Sequence, residues 1–433
     1  MTTYWCEYAW LPSGVASGVR IEVTDSRIDA VTADAPRDGT VLKGLTTPGF
    51  ANGHSHAFHR ALRGRTHHER GTFWTWRERM YALASRLDPD SYYRLARGVY
   101  AEMVLAGYTS VGEFHYLHHA PHGKRYADPN EMSAALARAA ADAGIRITLL
   151  DTCYLAGGFR RELDELQLRF SDGDAHAWAE RVDSFVPQGD ARVGAAIHSV
   201  RAVPAEQLPV IAHWARDRPL HVHLSEQRAE NADCLSHHGR TPTAVLAEAG
   251  VLGGNTVAVH ATHLTDADIG VLGRTHTRAC FCPTTERDLG DGIGPARALA
   301  DAGVGLCLGS DSNAVVDAFE ETRALELNER LASQSRGQFS VAELMAAATD
   351  HDAIGWGEVG KLQPGAGADL VTVDLASIRT AGVEPRGTVF AASAADIVQV
   401  VIAGRQVVQD RAHQLIARPE SLLAKEIEAL WHS

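Results

Sequence analysis

The sequence predicts an α/β protein: a closed (β/α)8 barrel of the TIM type, with a small β-sandwich domain formed from both ends of the chain. Three observations carry this expectation. Eight short apolar runs alternate with helical patterns through the middle of the sequence, as parallel βα units do. The alternation extends over about 250 residues, the usual length of an eightfold barrel. No G-x-G-x-x-G turn follows the first run, which argues against the open doubly wound sheet, the main competitor.

The runs are residues 47–51, 109–115, 146–153, 192–199, 219–226, 257–264, 277–285 and 305–312. Helix punctuation falls between them. Asp88-Pro89 supplies an N-cap and a first-turn proline, Leu95, Val99 and Met103 keep one apolar face, and Gly107 ends the segment. Thr241-Pro242 and Gly250 repeat the device, while Gly144 and Gly303 each stand between a helical pattern and the next run. The ends of the chain read as β-structure: residues 18–24 and 28–31, then 369–373 and 397–402 after the turn-rich Pro364-Gly365-Ala366-Gly367. Termini commonly lie together. Residues 1–46 and 352–433 are therefore expected to form the small domain, and residues 47–351 the barrel.

A chain of 433 residues has room for both parts. Its 45% apolar and 22% charged residues are those of a folded globular protein rather than a disordered one. Lysine and arginine number 41 against 54 acidic residues, a net charge of −13. Without basic runs, that balance argues against nucleic acid or an anionic membrane as partner. No apolar run approaches the ~18 residues of a membrane span, and the N-terminal MTTYWCEYAW lacks the pattern of a secretory signal. The six cysteines form no regular framework, and Cys280 and Cys282 read as packing residues in an apolar run. The expected compartment is the cytoplasm.

The 22 histidines become informative through their positions. His54-Ser55-His56 follows the first run, and in extended chain the two rings point to one side because side chains repeat with period two. His221-Val222-His223, followed by Glu226, ends the fifth run; His260-Ala261-Thr262-His263 ends the sixth; Ser310-Asp311-Ser312 ends the eighth. One strand histidine is ordinarily a hydrogen-bonded core residue. Four polar clusters at strand ends that converge on the catalytic face of a barrel call for a metal site. Three histidines and one aspartate suit zinc or another borderline divalent ion, beside which a water becomes nucleophilic near neutral pH. Glu226 is placed to move protons, although a helix-capping glutamate has the same position. Asp311 can ligate and accept a proton, and His260 can polarise the substrate or stabilise developing charge.

This arrangement resembles the amidohydrolase superfamily, and the resemblance covers essentially the whole chain, including the segment from Gly360 to Leu370. Within the superfamily the chain is similar to the formimidoylglutamate deiminases of histidine degradation. That likeness rests on residues 52–63 (NGHSHAFHRALR), 73–81 (FWTWRERMY), 113–119 (EFHYLHH), 198–203 (HSVRAV), 223–227 (HLSEQ) and 282–290 (CPTTERDLG). The resemblance implies that His54, His56, His223 and Asp311 bind one zinc ion per subunit, other divalent metals being possible. The family's binuclear members use a lysine on the fourth strand; residues 192–201 contain none, which fits a single ion. Glu226, His260 and Asp311 would carry the catalysis. His59, Arg77, Tyr116, His198 and Arg201 would contact the substrate, although some members carry glutamine where His59 stands. A homodimer is the expected assembly.

The implied reaction is hydrolytic deimination of N-formimidoyl-L-glutamate to N-formyl-L-glutamate and ammonia. This substrate has two carboxylates and a cationic amidine, and arginines match carboxylates through paired hydrogen bonds, which suits Arg77 and Arg201. Trp74-Thr75-Trp76 reads as a packed loop anchor that shields the site and positions Arg77. Three alternatives stay open: a deaminase of the same superfamily acting on a nucleobase or aminated ring, hydrolysis of the same substrate to formamide and glutamate, and a non-catalytic barrel used for binding.

Overall fold

The computed structural model describes residues 1–66 and 73–432, the side chains of Phe73 and Trp74 excepted. Strands β1 (Thr2–Leu11), β2 (Gly14–Thr24), β3 (Arg27–Thr32) and β4 (Thr40–Pro48) open the chain. Then come β5 (Phe50–Ser55), β6 (Tyr108–His115), β7 (Arg146–Cys153), β8 (Ala191–Ile197), β9 (Leu220–Leu224), β10 (Thr256–His260), β11 (Arg278–Phe281) and β12 (Leu306–Leu308). Strands β13 (Leu370–Val373), β14 (Ile397–Ile402), β15 (Arg405–Gln409) and β16 (Ala412–His413) lie near the C-terminus. Helices α1 (Phe73–Ala84) and α2 (Pro89–Leu105) follow β5, α3 (Glu131–Ala143) follows β6, α4 (Ala175–Asp183) follows β7 and α5 (Leu208–Trp214) follows β8. Next are α6 (Arg228–His238) and α7 (Pro242–Glu248), α8 (Asp266–Thr275), α9 (Pro283–Leu289) and α10 (Ala296–Asp301), α11 (Ala318–Ser333) and α12 (Val341–Ala348), and finally α13 (Pro419–His432).

Strands β5 to β12 pair in sequence order, each parallel to the next, and form the expected TIM-like barrel. Residues of β5, β6, β7, β9 and β10 are buried on both faces, which is why these strands read as nearly continuous apolar runs. The remaining strands form one mixed sheet from both ends of the chain, in the order β16-β15-β14-β13-β4-β1-β2-β3. It encloses its own core of Tyr4, Cys6, Val19, Ile21, Leu370 and Val401.

The seam between β12 and β5 closes through backbone that matters below. Ser55 bridges to Asp311; the Asp311 N–H donates to the His54 carbonyl at 2.9 Å, and the His56 N–H donates to the Asp311 carbonyl at 3.0 Å. Asn52 and Ser310 exchange two hydrogen bonds, at 2.7 and 3.0 Å. A Cβ on Gly309 would stand 2.7–2.9 Å from the backbone and Cβ of His54, so only glycine lets the strands approach this closely.

Helix ends follow the sequence signals. The Asp88 carboxylate accepts from the Ser91 N–H at 2.7 Å and caps α2, whose Leu95, Val99 and Met103 are buried. Thr241 Oγ1 caps α7 at 3.2 Å, and Gly144 ends α3 in the left-handed conformation. Three local features differ from the sequence reading. The first run changes sheets at Gly49: Thr47 and Pro48 pair with β13, whereas Phe50 pairs with β6. Both segments are apolar, so hydropathy does not mark the switch. The seventh run stops at Phe281, because Pro283 starts α9. Residues 74–76 lie in α1 rather than in a loop; the Trp74 side chain falls outside the described residues.

Candidate metal centre

Four strand ends bring the polar clusters to one point. Period-two alternation along β5 places His54 and His56 on the same side, β9 presents His223, β10 ends at His260, and Asp311 follows β12. All five are buried. The Nε2 atoms of His54 and His223 are 3.2 Å apart. Asp311 Oδ1 lies 3.5 Å from His54 Nε2 and 3.3 Å from His56 Nε2. Ligands about 2.0–2.1 Å from a tetrahedral ion stand about 3.3–3.4 Å from one another, so these separations are those of a ligand set.

The donor chemistry agrees. His56 Nδ1 is 2.9 Å from the Phe114 carbonyl and His223 Nδ1 is 2.9 Å from the His198 carbonyl. A ring that donates from Nδ1 to a carbonyl leaves the Nε2 lone pair free to ligate. Burial, reinforced by the neighbouring histidines, holds both rings well below the usual imidazole range, so they stay neutral as ligands must. Burial opposes charge on Asp311 as well, but the hydrogen bond from His54 and the charges of His54, His260 and His56 keep its pKa below the ordinary carboxylate value. Residues His54, His56, His223 and Asp311 therefore fit a divalent ion.

A second ring of groups surrounds this one. His260 Nε2 stands 3.6 Å from Asp311 Oδ2 and 3.9 Å from Glu226 Oε1. Its Nδ1 faces Glu286 Oε1 at 3.4 Å. Burial disfavours the imidazolium, but Glu226, Glu286 and Asp311 outweigh it and raise His260 to about 10. Glu226 is pushed up to about 7 by burial and by the Asp311 charge, against the pull of His260 and Arg201. A carboxyl poised there can both give and take a proton near neutral pH. Ser225, His260, Ala261, Asp311 and Asn313 all adopt positive φ, between 41° and 68°. Strained non-glycine backbone of this kind concentrates at functional sites.

The cavity above the cluster is lined by His59, Arg77, Tyr116, His198 and Arg201 together with Glu226, His260 and Asp311. His59 packs its ring 4.5 Å from that of His56, and its Nε2 lies 2.9 Å from the Tyr116 hydroxyl. The two expected contact residues thus orient each other. Burial takes His59 down to about 3, so it faces the cavity as a neutral ring. Arg77 bonds the Tyr81 hydroxyl and lies over that ring at 4.8 Å. Trp76 stands edge-on to His59 at 5.1 Å. Arg201 donates from Nε to Glu230 at 3.1 Å, while the other Glu230 oxygen faces the Ser225 N–H at 3.4 Å. Glu230 so ties the arginine to the turn that carries Glu226.

Glu230, Glu286 and Asp291 are site residues that the sequence reading did not single out. Glu286 accepts from the Cys282 N–H at 2.8 Å, and Asp291 accepts from Gln227. Burial and the nearby Glu226 charge raise Asp291 to about 8. Glu113 Oε1 accepts from the Ala57 N–H at 2.6 Å and so fixes the turn just after His56. Other candidates stay apart from the centre. His221 turns to the Ala353 carbonyl at 2.9 Å. His115 and His118 join Asp151 in a buried group whose carboxylate is taken by Arg181, at 2.7 Å. Cys280 and Cys282 pack with Val257 and Val259, as the apolar run implied, and Cys307 joins them. The Cys282 thiol also comes within ligand range of His260 and Asp311.

Three comparisons bear on this site. The sequence profile of the Amidohydrolase family matches residues 45–407. The formimidoylglutamate deiminase of Pseudomonas aeruginosa is 37% identical over 95% of this chain and 96% of its own. A 5'-deoxyadenosine deaminase of Methanothermobacter thermautotrophicus is 28% identical over 91% of each chain. Among solved structures, an amidohydrolase from Brucella melitensis superposes with a TM-score of 0.91 at 31% identity, covering 100% of both chains.

Proposed function

The chain belongs to the amidohydrolase family, and from that premise we propose that it deiminates N-formimidoyl-L-glutamate by hydrolysis, releasing ammonia and N-formyl-L-glutamate in histidine degradation. One observation carries the reading: a single cavity is lined by His56, His223 and Asp311 of the ligand cluster and by the guanidinium groups of Arg77 and Arg201. A molecule that joins an electrophilic amidine to two carboxylates matches that combination. The 37% identity to a formimidoylglutamate deiminase supports the same substrate.

The ion is proposed to be one zinc per subunit, since β8 offers no lysine to bridge a second. When bound, it would act as a Lewis acid and make a water nucleophilic near neutral pH. Asp311 orients that water. Glu226 takes one water proton and delivers it to the amidine nitrogen, which leaves as ammonia, and Asp311 takes the remaining hydroxyl proton as the formyl C=O forms. His260, kept cationic by its three carboxylate neighbours, stabilises negative charge on the attacking oxygen. Arg201 and Arg77 bind the carboxylates, His198 and the Tyr116–His59 pair shape the path between the two ends, and Glu230 fixes the plane of Arg201. No helix among the described residues is long and apolar enough to cross a membrane. A homodimer is the proposed assembly.

Purified, metal-quantified protein is expected to release ammonia from N-formimidoyl-L-glutamate. Release of formamide would move the reaction to the other C–N bond, and activity confined to adenine, guanine or cytosine derivatives would replace the substrate. Arg201→Ala is expected to raise KM about tenfold or more, the loss of a charge-assisted pair being about 1.5–3 kcal/mol. Steady-state kinetics would remove Arg201 from the carboxylate site if KM were unchanged.

A further inference from the structure

Next to the cavity described above lies a second, of about 350 Å³. Arg77 and Arg201 line both and so form the partition between them. The outer cavity adds Arg160 and Arg161. Among its described lining residues Asp233 is the sole acid, set against four arginines. This concentration of positive charge stands out in a chain of net charge −13. Arg201 is paired with Glu230, whereas neither Arg160 nor Arg161 has an ion-pair partner among the described residues. Such an arrangement is favourable when an anion enters it.

The loop that carries the two arginines is built rather than loose. It follows β7, at the same end of the barrel as the ligand cluster. The Gly157 N–H donates to the Arg161 carbonyl at 2.9 Å, and the Arg161 N–H returns a bond to the Gly158 carbonyl at 3.0 Å. A Cβ on Gly157 would lie 2.3 Å from the Glu162 carbonyl oxygen, so this tight turn needs glycine. Arg160 itself is held at φ +53°, a left-handed conformation that non-glycine residues rarely adopt. Phe159 stacks on His237 of α6 at 5.2 Å and 29°, which anchors the loop across the cavity from the helix that also carries Glu230.

We infer that Arg160 and Arg161 form an outer carboxylate subsite, which captures the dicarboxylate substrate at the mouth of the barrel before it is seated on Arg77 and Arg201. The inference rests on the dicarboxylate reading given above. It assigns a binding role to residues outside the metal cluster and its cavity, and it makes capture electrostatic. Two arginines beside a dicarboxylate of net negative charge accelerate encounter and raise its local concentration, an effect of about 10-fold or more that added salt screens.

The test is kcat/KM for ammonia release from N-formimidoyl-L-glutamate at increasing NaCl, for wild type, Arg160→Ala/Arg161→Ala, Arg160→Glu/Arg161→Glu and Arg160→Lys/Arg161→Lys. The alanine pair is expected to lose about 10-fold in kcat/KM at low salt, chiefly through KM, and to show a flatter salt dependence. The glutamate pair is expected to lose more and to improve as salt rises, while the lysine pair keeps most of the wild-type slope. A purely structural role for the loop would lower activity without changing the slope. Variants with wild-type kcat/KM and wild-type slope overturn the outer subsite while leaving the substrate reading in place. A wild type that does not turn over the substrate at any salt overturns the substrate reading, and the subsite with it.

Discussion

Glu226→Gln is expected to lower kcat for ammonia release by about a hundred- to ten-thousandfold, the range that positioned acid–base groups supply, while the divalent ion stays bound. The substitution keeps the shape of the side chain and removes its ability to exchange a proton. Glu226 is no part of the set of ligand atoms 3.2–3.5 Å apart that fits an ion. It stands beside that set, 3.9 Å from His260 and held at about 7 by burial and the Asp311 charge. Burial raises this carboxyl from the ordinary carboxylate range toward neutrality, which suits a group that first takes a proton and then gives it. Metal content by elemental analysis and kcat by ammonia release, measured on the same preparation, check the prediction. Near-normal kcat would remove Glu226 from proton transfer. Loss of the ion would show instead that the carboxylate supports the ligand set.

The legibility of this centre in the sequence has a physical basis. His54, His56, His223, His260 and Asp311 could be picked out because each ends an apolar run, and a parallel barrel gathers all such ends on one face. Period-two alternation did the rest for His54 and His56. Their partners were harder to see. Glu286 reaches the site because α9 begins at Pro283, so the carboxylate four residues after Cys282 folds back onto the Cys282 N–H. The proline at the helix start was the available signal, and extending the seventh run past it hid the turn. Glu230 lies in the first turn of α6, where an acidic residue is ordinary, and only the approach of α6 to the loop after β8 makes it the partner of Arg201. The change of sheet at Gly49 had no hydropathy signature at all, since both neighbouring segments are buried.

The buried group around Arg181 was equally invisible, because its members come from separate helices, strands and loops, and its removal should have the largest effect on stability. Arg181 grips Asp151 through Nη2 at 2.7 Å and Nη1 at 3.0 Å, and Asp172 through Nε at 2.9 Å. Trp178 also donates to Asp151, at 3.0 Å, and His119 lies 3.0 Å from Asp172. Arg181→Met keeps much of the volume and deletes the cation. Two carboxylates are then left buried without it, and breaking a buried pair from one side costs about 3–5 kcal/mol. The pH dependence carries the sign. In the wild type, burial alone would raise both aspartates, but Arg181 and the histidines overcome it and hold them below the ordinary carboxylate range. That contribution is present above the unfolded pKa and is lost as pH falls below it. Without Arg181 burial dominates, the folded-state pKa values move above the unfolded one, and the folded state prefers the protonated acids. The deficit of the variant should therefore be smaller near pH 5 and grow as pH rises toward 8. Urea unfolding of wild type and variant at both pH values gives that difference directly. A deficit that is equal at the two pH values, or greater at pH 5, would mean that the lost contacts were packing contacts and that the ion pair itself contributed little.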